Sequence, residues 1–382
     1  MFFSWTGVDK GTTRYAHHYA ISGEANASFL VPSAGRVSNL FVSCGAAITS
    51  GTHTITLRKN GSNTAVACVL SGGATSCSDT ADAVDFAATD ELSLRIVNSA
   101  STQAPSCRAM ATLTASGGTA PHDDVITLHT ASEQPTNGQY CGMNIAPSST
   151  ETTCASAGPD DVSIIMPSAG TLTGLAARLS SGTGSGRTET FTVRNLTTGV
   201  DAGLTVTIAT GTQSSSTNTC TGNCAFAAGD RLVVRFNRTG NPIDRIRSIT
   251  LSYSNAGSTL VSRGPHFSAG TRYVGYHLGT DAATPGAAAV RMDRAARLQN
   301  LSVHSTTPAT VAFAVTVCSG ATSPPGCNGV RPQCTVAAGA TTCTDSARTI
   351  SVAQGDYVEV RVDNQGDATG TIGFAVELAD QP

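Results

Sequence analysis

The chain repeats one cysteine-containing segment along its 382 residues. Residues 66–95 reappear without a gap as residues 332–361, with cysteines at the same two positions. A looser copy lies between them, where residues 227–235 (AAGDRLVVR) match residues 87–95 (AATDELSLR). A repeat of this length is far longer than that of a solenoid, so it predicts three separate domains of about 120 to 140 residues.

Each copy carries the alternation of apolar and polar residues that is typical of β-strands. A 3.6-residue apolar period, which would indicate helices, is not evident in the sequence. Short strands spaced by Gly, Ser, Pro and Asn are typical of a two-sheet sandwich. The sequence therefore predicts an all-β chain of three tandem jelly-roll-like antiparallel β-sandwich domains. Their predicted limits are 1–117, 118–257 with a cysteine-containing insertion, and 258–382.

The twelve cysteines divide evenly, four to a copy, which favours disulfides. Eight residues with Gly near the middle separate Cys68 from Cys77, as expected of two strand ends joined by a loop. The competing interpretation, a tetrathiolate zinc site in each domain, needs paired close knuckles, and only Cys220 and Cys224 have that spacing. We predict disulfides, with no metal and no cofactor. The predicted pairs, the first and third by elimination, are Cys44–Cys107, Cys68–Cys77, Cys141–Cys154, Cys220–Cys224, Cys318–Cys327 and Cys334–Cys343.

The composition is that of a β-rich extracellular or particle-surface protein. Charged residues make up 13% of the chain, against about 25% in ordinary globular domains. The formal net charge is −3 and no basic run occurs, which argues against a nucleic-acid partner. The sequence has no stretch of eighteen apolar residues, so no membrane-spanning helix is predicted.

An Asp recurs at one position in all three copies, as Asp90, Asp230 and Asp356. Calcium ligation is one interpretation, but an Asp before a strand commonly binds the backbone of its own turn. No second acid recurs at a fixed distance in all copies, so we predict a turn role. For Asp79 and Asp345, which follow a cysteine in two copies, we predict a loop-capping role, with calcium as the alternative.

The turn Ala-x-Gly-Asp followed by alternating apolar residues, at 227–230 and 353–356, resembles the penultimate-strand region of jelly-roll modules. Such modules occur in tumour-necrosis-factor-like and complement-like domains, in bacterial surface proteins and in phage head- or tail-fibre and decoration proteins. The resemblance implies a structural or binding module that often forms trimers or decorates a larger particle. It implies no active site.

Motifs for catalysis are lacking in the sequence, which predicts a non-enzyme. No serine lies in Gly-x-Ser-x-Gly. His17 and His18 are neighbours that would point to opposite faces of a strand, so they form a poor metal pair. A glycosidase carboxylate pair from distant strands stays open. Tyrosines for ligand stacking, with core packing as the alternative, are Tyr15, Tyr19, Tyr273 and Tyr276.

Three functional hypotheses are compatible with these features. The first is a phage virion component: a head decoration, a head fibre or a tail-associated subunit. The sequence starts at Met1 without a basic region and an apolar run, so we expect release by lysis and not by a leader. The alternatives are a bacterial extracellular filament subunit or adhesin, and a carbohydrate-binding protein. The expected partners are copies of the chain itself and other virion or surface proteins, and a glycan under the last hypothesis.

Overall fold

A computed structural model describes residues 2–5, 7–16, 20–99, 105–115, 122–128, 135–142, 154–155, 159–184, 186–240, 245–255, 257–264, 270–274, 281–286, 288–364 and 372–380. In this part of the chain almost every element is a β-strand. The helices described are α1 (Glu24–Ala27) and a 3₁₀ turn (Pro159–Val162). Neither is long and apolar enough to cross a membrane.

The first sandwich comprises strands β1 to β10. Their bounds are β1 (Phe2–Trp5), β2 (Thr13–Ala16), β3 (Ala20–Ile21), β4 (Phe29–Leu30), β5 (Gly35–Cys44), β6 (Thr52–Lys59), β7 (Ser62–Ser71), β8 (Ser76–Phe86), β9 (Glu91–Asn98) and β10 (Cys107–Ala115). One antiparallel sheet has the order β1-β10-β5-β8 and the other β3-β2-β9-β6-β7, with β4 also paired to β9.

The second sandwich comprises strands β11 to β21. Their bounds are β11 (His122–Leu128), β12 (Tyr140–Cys141), β13 (Cys154–Ala155), β14 (Ile164–Ile165), β15 (Gly170–Leu179), β16 (Glu189–Asn195), β17 (Val200–Ile208), β18 (Ser214–Thr217), β19 (Ala225–Phe226), β20 (Arg231–Arg238) and β21 (Ile246–Asn255). Its sheets have the orders β11-β21-β15-β18 and β13-β12-β20-β16-β17, with β19 beside β15 and β14 beside β20.

The third sandwich comprises strands β22 to β32. Their bounds are β22 (Ser258–Gly264), β23 (Gly270–Val274), β24 (Asp281–Ala282), β25 (Val290–Arg291), β26 (Ala296–Ser305), β27 (Phe313–Gly320), β28 (Gln333–Val336), β29 (Thr342–Asp345), β30 (Ile350–Val352), β31 (Tyr357–Asn364) and β32 (Ile372–Ala379). Its sheets have the orders β22-β32-β26-β29 and β24-β23-β31-β27-β28, with β30 beside β26 and β25 beside β31.

The three sandwiches share one connectivity. In the first, the chain passes from β5 in one sheet to β6 and β7 in the other, returns with β8, crosses again with β9 and comes back with β10. The second and third sandwiches repeat this path with their corresponding strands. Crossing between two antiparallel sheets in this way is jelly-roll connectivity. The structure thus confirms the predicted all-β jelly-roll class.

Each sandwich encloses a hydrophobic core between its sheets. Alternate residues of the central strands point inward, so Leu92, Leu94 and Ile96 of β9 are fully buried. Aromatic side chains anchor the three cores: Phe3, Trp5 and Phe29; Phe191, Phe236 and Tyr253; and Phe313 and Phe374. Because each core draws mainly on its own repeat, the three copies in the sequence correspond to three packing units.

Candidate functional site: the contacts between the sandwiches

The recurrent aspartates stabilise their own turns. A carboxylate oxygen of Asp90, Asp230 and Asp356 accepts the backbone N–H of the alanine three residues earlier, at 2.7, 2.8 and 2.8 Å. The residue before each Asp has a positive φ, which two copies meet with glycine and the first copy with Thr89 at 73°. The side chains of the three aspartates therefore serve the turn, and nothing in this geometry forms a shared ligand site.

Asp345 ties the two sheets of the third sandwich together. It is 7% exposed, and its carboxylate accepts the N–H groups of Gln333 on β28 and of Ala347 and Arg348 after β29, at 2.9 to 3.2 Å. Asp79 makes the equivalent three hydrogen bonds in the first sandwich. Burial raises the pKa of Asp345, but the three N–H donors and Arg348 outweigh it and hold the pKa below its ordinary value.

We expect Asp345→Ala to lower the free energy of unfolding of the third sandwich by about 2 to 4 kcal/mol, because buried N–H donors lose their acceptor. Since the folded-state pKa is depressed, this contribution is present above the unfolded pKa and is lost as pH falls through the folded pKa. Denaturant unfolding of both proteins at pH 7 and pH 3 measures the difference, which must shrink in acid. The control is Asp85→Ala, whose side chain is 76% exposed and changes little. A cost for Asp345→Ala that persists at pH 3 would contradict this role.

All cysteines in the described residues lie in disulfides. The pairs are Cys44–Cys107, Cys68–Cys77, Cys141–Cys154, Cys220–Cys224, Cys318–Cys327 and Cys334–Cys343. Cys68–Cys77 joins β7 to β8, and so links the two sheets of the first sandwich, and Cys334–Cys343 does the same in the third. The ladder registers place Val206 and Ser215 at the corresponding positions of the second sandwich, which has no such link.

The other candidates from the sequence do not come together in one site. Tyr15 lies under the guanidinium of Arg58, 5.7 Å from the ring centre, and Tyr273 pairs with Ala282 on β24. The residues of the predicted insertion at 143–153 lie outside the described residues, as do His17, His18, Tyr19 and Tyr276. Among the residues described, no group of three His, Cys, Asp or Glu side chains could hold a metal ion.

The 1–2 contact joins the first and second sandwiches. Strand β4 lies against β15 and β21. Arg178 on β15 donates to the Glu91 carboxylate at 2.5 Å and to the hydroxyl of Ser28. Gly174 allows close approach, because a Cβ there would lie 2.9 Å from Cβ of Pro32. The contact therefore combines a shielded ion pair with backbone-to-proline packing.

The 2–3 contact uses the equivalent surfaces of the next two sandwiches. Strand β14 lies against β26 and β32. An Arg231 guanidinium nitrogen lies 3.1 Å from Nε2 of His304, which is 8% exposed. Ala375 of β32 packs with the core residues of the second sandwich.

The 3–1 contact brings the last sandwich back to the first. Strand β25 lies against β5 and β10. The Arg291 guanidinium lies between two rings, 5.5 Å from that of Phe41 and 5.6 Å from that of Tyr357. Thr112 donates to the Asp293 carboxylate at 2.7 Å, and the Asp293 N–H points to Sδ of Met110 at 3.3 Å.

These three contacts form a closed ring. The same short strand of each sandwich (β4, β14 or β25) lies on the same sheet face of another, and the third contact returns to the first sandwich. A head-to-tail contact that closes after three units is the arrangement of a cyclic trimer, here built from one chain. The residue that follows the recurrent Asp differs between the three contacts. It is Glu91 at the 1–2 contact, Arg231 at the 2–3 contact and Tyr357 at the 3–1 contact, so an acidic, a basic and an aromatic side chain occupy equivalent positions.

Cavities among the described residues include one in the second sandwich and one at the 2–3 contact. A cavity of about 660 Å³ opens into the second sandwich, lined by Leu172, Val200, Ala202 and Phe226, where the Cys220–Cys224 loop replaces part of a strand. A cleft of about 420 Å³ lies at the 2–3 contact. The side chains that line the first cavity are mostly apolar, and its Asn195 and Asp230 side chains hydrogen-bond each other.

No family model and no curated protein matches the chain. Among solved structures, it is similar to a chain of "The Triple Jelly Roll Fold and Turret Assembly in an Archaeal Virus", with 9% identity over 99% of this chain and 89% of that one and a TM-score of 0.18. The subviral-particle structure of infectious bursal disease virus VP2 is 10% identical, with 99% of this chain and 80% of that one covered and a TM-score of 0.17. Dimeric latent PorU from Porphyromonas gingivalis is also 10% identical, with 97% of this chain and 33% of that one covered and a TM-score of 0.21.

Proposed function

We propose that this chain is a non-enzymatic structural protein of a virion surface, and more specifically a phage head decoration, head fibre or tail-associated subunit. The observation that carries the proposal is the closed ring of three sandwiches, each with two disulfides of its own. In a ring of this kind, the short strands and the buried side chains at the three contacts hold the sandwiches in one arrangement. It is a building block that presents loops and outer strands to a partner.

The disulfides and the surface composition support the proposed location. Six disulfides are stable outside a reducing cytosol, which favours a virion surface or an extracellular setting, with oxidation after lysis. A chain with 13% charged residues has a neutral, hydroxyl-rich surface. We further propose that the limits 1–117, 118–257 and 258–382 mark three domains, and that partners are other virion proteins or further copies of the ring.

Mass spectrometry of the native material without reduction, combined with electron microscopy, tests the proposal. We expect the chain to co-purify with capsid, portal or tail proteins on particles. Filaments made of the chain alone would overturn the proposal in favour of a bacterial filament subunit or adhesin. Free chain that binds on a glycan array would overturn it in favour of a carbohydrate-binding protein.

A further inference from the structure

Glu359 is a buried carboxylate near the 3–1 contact. It lies on β31 between Val358 and Val360, whose side chains fill the core, so its own side chain points to the outer face of the sheet. An outer-face glutamate ordinarily meets water, yet Glu359 is 0% exposed. Its ladder partner on β27, Cys318, carries no charge.

Within the described part of the chain, one backbone N–H donates to the Glu359 carboxylate. The N–H of Gly286 approaches its two oxygens at 2.9 and 3.1 Å, and no other donor to it is found among the described residues. Asp345, by comparison, has three N–H donors and a guanidinium. A fully buried carboxylate with a single shared donor favours its neutral form, because ionisation would leave charge without solvation.

A cation of the first sandwich lies at the same contact. Arg108 on β10 pairs in the ladder with Ser43, and the equivalent of Ser43 in the second sandwich is Arg178, which meets Glu91 in the 1–2 contact. The positive charge of Arg108 favours the ionised form of Glu359, and none of the described ion pairs joins the two residues. Nε of Arg108 is buried and has no hydrogen-bond partner among the described residues. On the strand of Glu359 itself, the next outer-face charge is Arg361, which pairs with Asp363 at 2.9 Å. In the β15–β21 and β26–β32 ladders, the positions equivalent to Arg108 are held by Ser248 and Gly373. The combination of Arg108 and Glu359 therefore occurs only at the 3–1 contact.

We propose that Glu359 and Arg108 make the 3–1 contact a proton-dependent latch, closed when Glu359 is neutral and loosened when it ionises. Burial raises the pKa of Glu359 from 4.5 to about 7, against the smaller opposing effects of the Gly286 N–H and of Arg108. A raised folded-state pKa means that the stabilisation is full below pH 4.5 and is lost as pH rises through 7. Burial also lowers the pKa of Arg108 to about 10, so Arg108 keeps its charge across this range.

Hydrogen exchange of β10 and β25, corrected for intrinsic rates and followed with the full chain, tests the latch. Between pH 5 and pH 8 we expect the opening equilibrium of the 3–1 contact to rise by up to roughly 70-fold, mostly below pH 7. Glu359→Gln should abolish this change and keep β10 and β25 protected at both values. The control is Glu377→Gln, which should leave the pH dependence of the opening equilibrium unchanged. The Glu377 carboxylate is only 1% exposed and accepts hydrogen bonds from the amides of Gln299 and Asn300.

A second variant guards against misfolding of Glu359→Gln. Arg108→Gln removes the cation that favours ionised Glu359, so the midpoint of the exchange change should move to higher pH. An opening equilibrium of the 3–1 contact that does not change with pH in the unmodified chain would overturn the proposal. So would an unchanged pH dependence in Glu359→Gln, or a midpoint that Arg108→Gln leaves in place.

Discussion

Replacing Cys44 and Cys107 together with alanine is expected to lower the free energy of unfolding of the first sandwich by about 4 kcal/mol. The two residues are 63 apart in sequence and lie directly opposite each other on β5 and β10. A bridge that closes so long a loop removes more freedom from the unfolded chain than a short one does. Removal of Cys68–Cys77, which spans 9 residues, should therefore cost less, about 3 kcal/mol.

The molecule offers a reporter and a matched control for this comparison. Trp5 is the single tryptophan of the chain, is 2% exposed and lies opposite Cys107 in the ladder, so its fluorescence follows unfolding of the first sandwich. Cys68→Val with Cys77→Ser copies the residues that the second sandwich carries at these positions, Val206 and Ser215. If removal of either disulfide lowers the free energy of unfolding equally in denaturant titrations, loop length does not set the stabilisation.

Met110→Asp is expected to open the ring at the 3–1 contact, at a cost of about 3 to 5 kcal/mol. Met110 belongs to the first sandwich, but it is 3% exposed and packs with the core of the third. An aspartate there would bury an unpaired carboxylate beside that of Asp293, which is itself 3% exposed. Both the missing solvation and the like charge act against closure.

Small-angle X-ray scattering and hydrogen exchange measure this opening. A compact chain of this length has a radius of gyration of about 21 Å, and an opened row of three sandwiches has a larger one. Exchange should rise in β10 and β25. Val69→Asp, at a strand residue that is 52% exposed, is the control and should change stability by less than about 0.5 kcal/mol. A Met110→Asp protein as compact and as protected as the parent would mean that the contact does not hold in solution.

The fold class followed from local features of the sequence. Alternation in residues 92–96 marks which side chains of β9 enter the core, and the structure buries Leu92, Leu94 and Ile96. The left-handed φ of Gly229 and Gly355 explains why Ala-x-Gly-Asp recurs before a strand. Such features depend on a few neighbouring residues, and three copies of them reinforce one interpretation.

The contacts between sandwiches left little trace in the sequence. Glu91 and Arg231 occupy outer-face positions, where charged residues are ordinary, and nothing marks Arg178 or His304 as their partners. The residues at equivalent contact positions also differ between the three copies, so comparison of the copies does not identify them. Phe41, which meets Arg291 across the 3–1 contact, looks like one more apolar strand residue.

The repeat, the strands, their inward faces and the even division of cysteines could be predicted from the amino-acid sequence, because they depend on side-chain periodicity and short spacings. Closure of the three sandwiches into a ring could be seen only in the folded chain. The alternating pattern around Glu359 assigns that residue to the outer face, and the pattern cannot state what covers this face. Contacts between sandwiches join residues far apart in the chain, as Thr112 and Asp293 are, and no local period encodes such a contact.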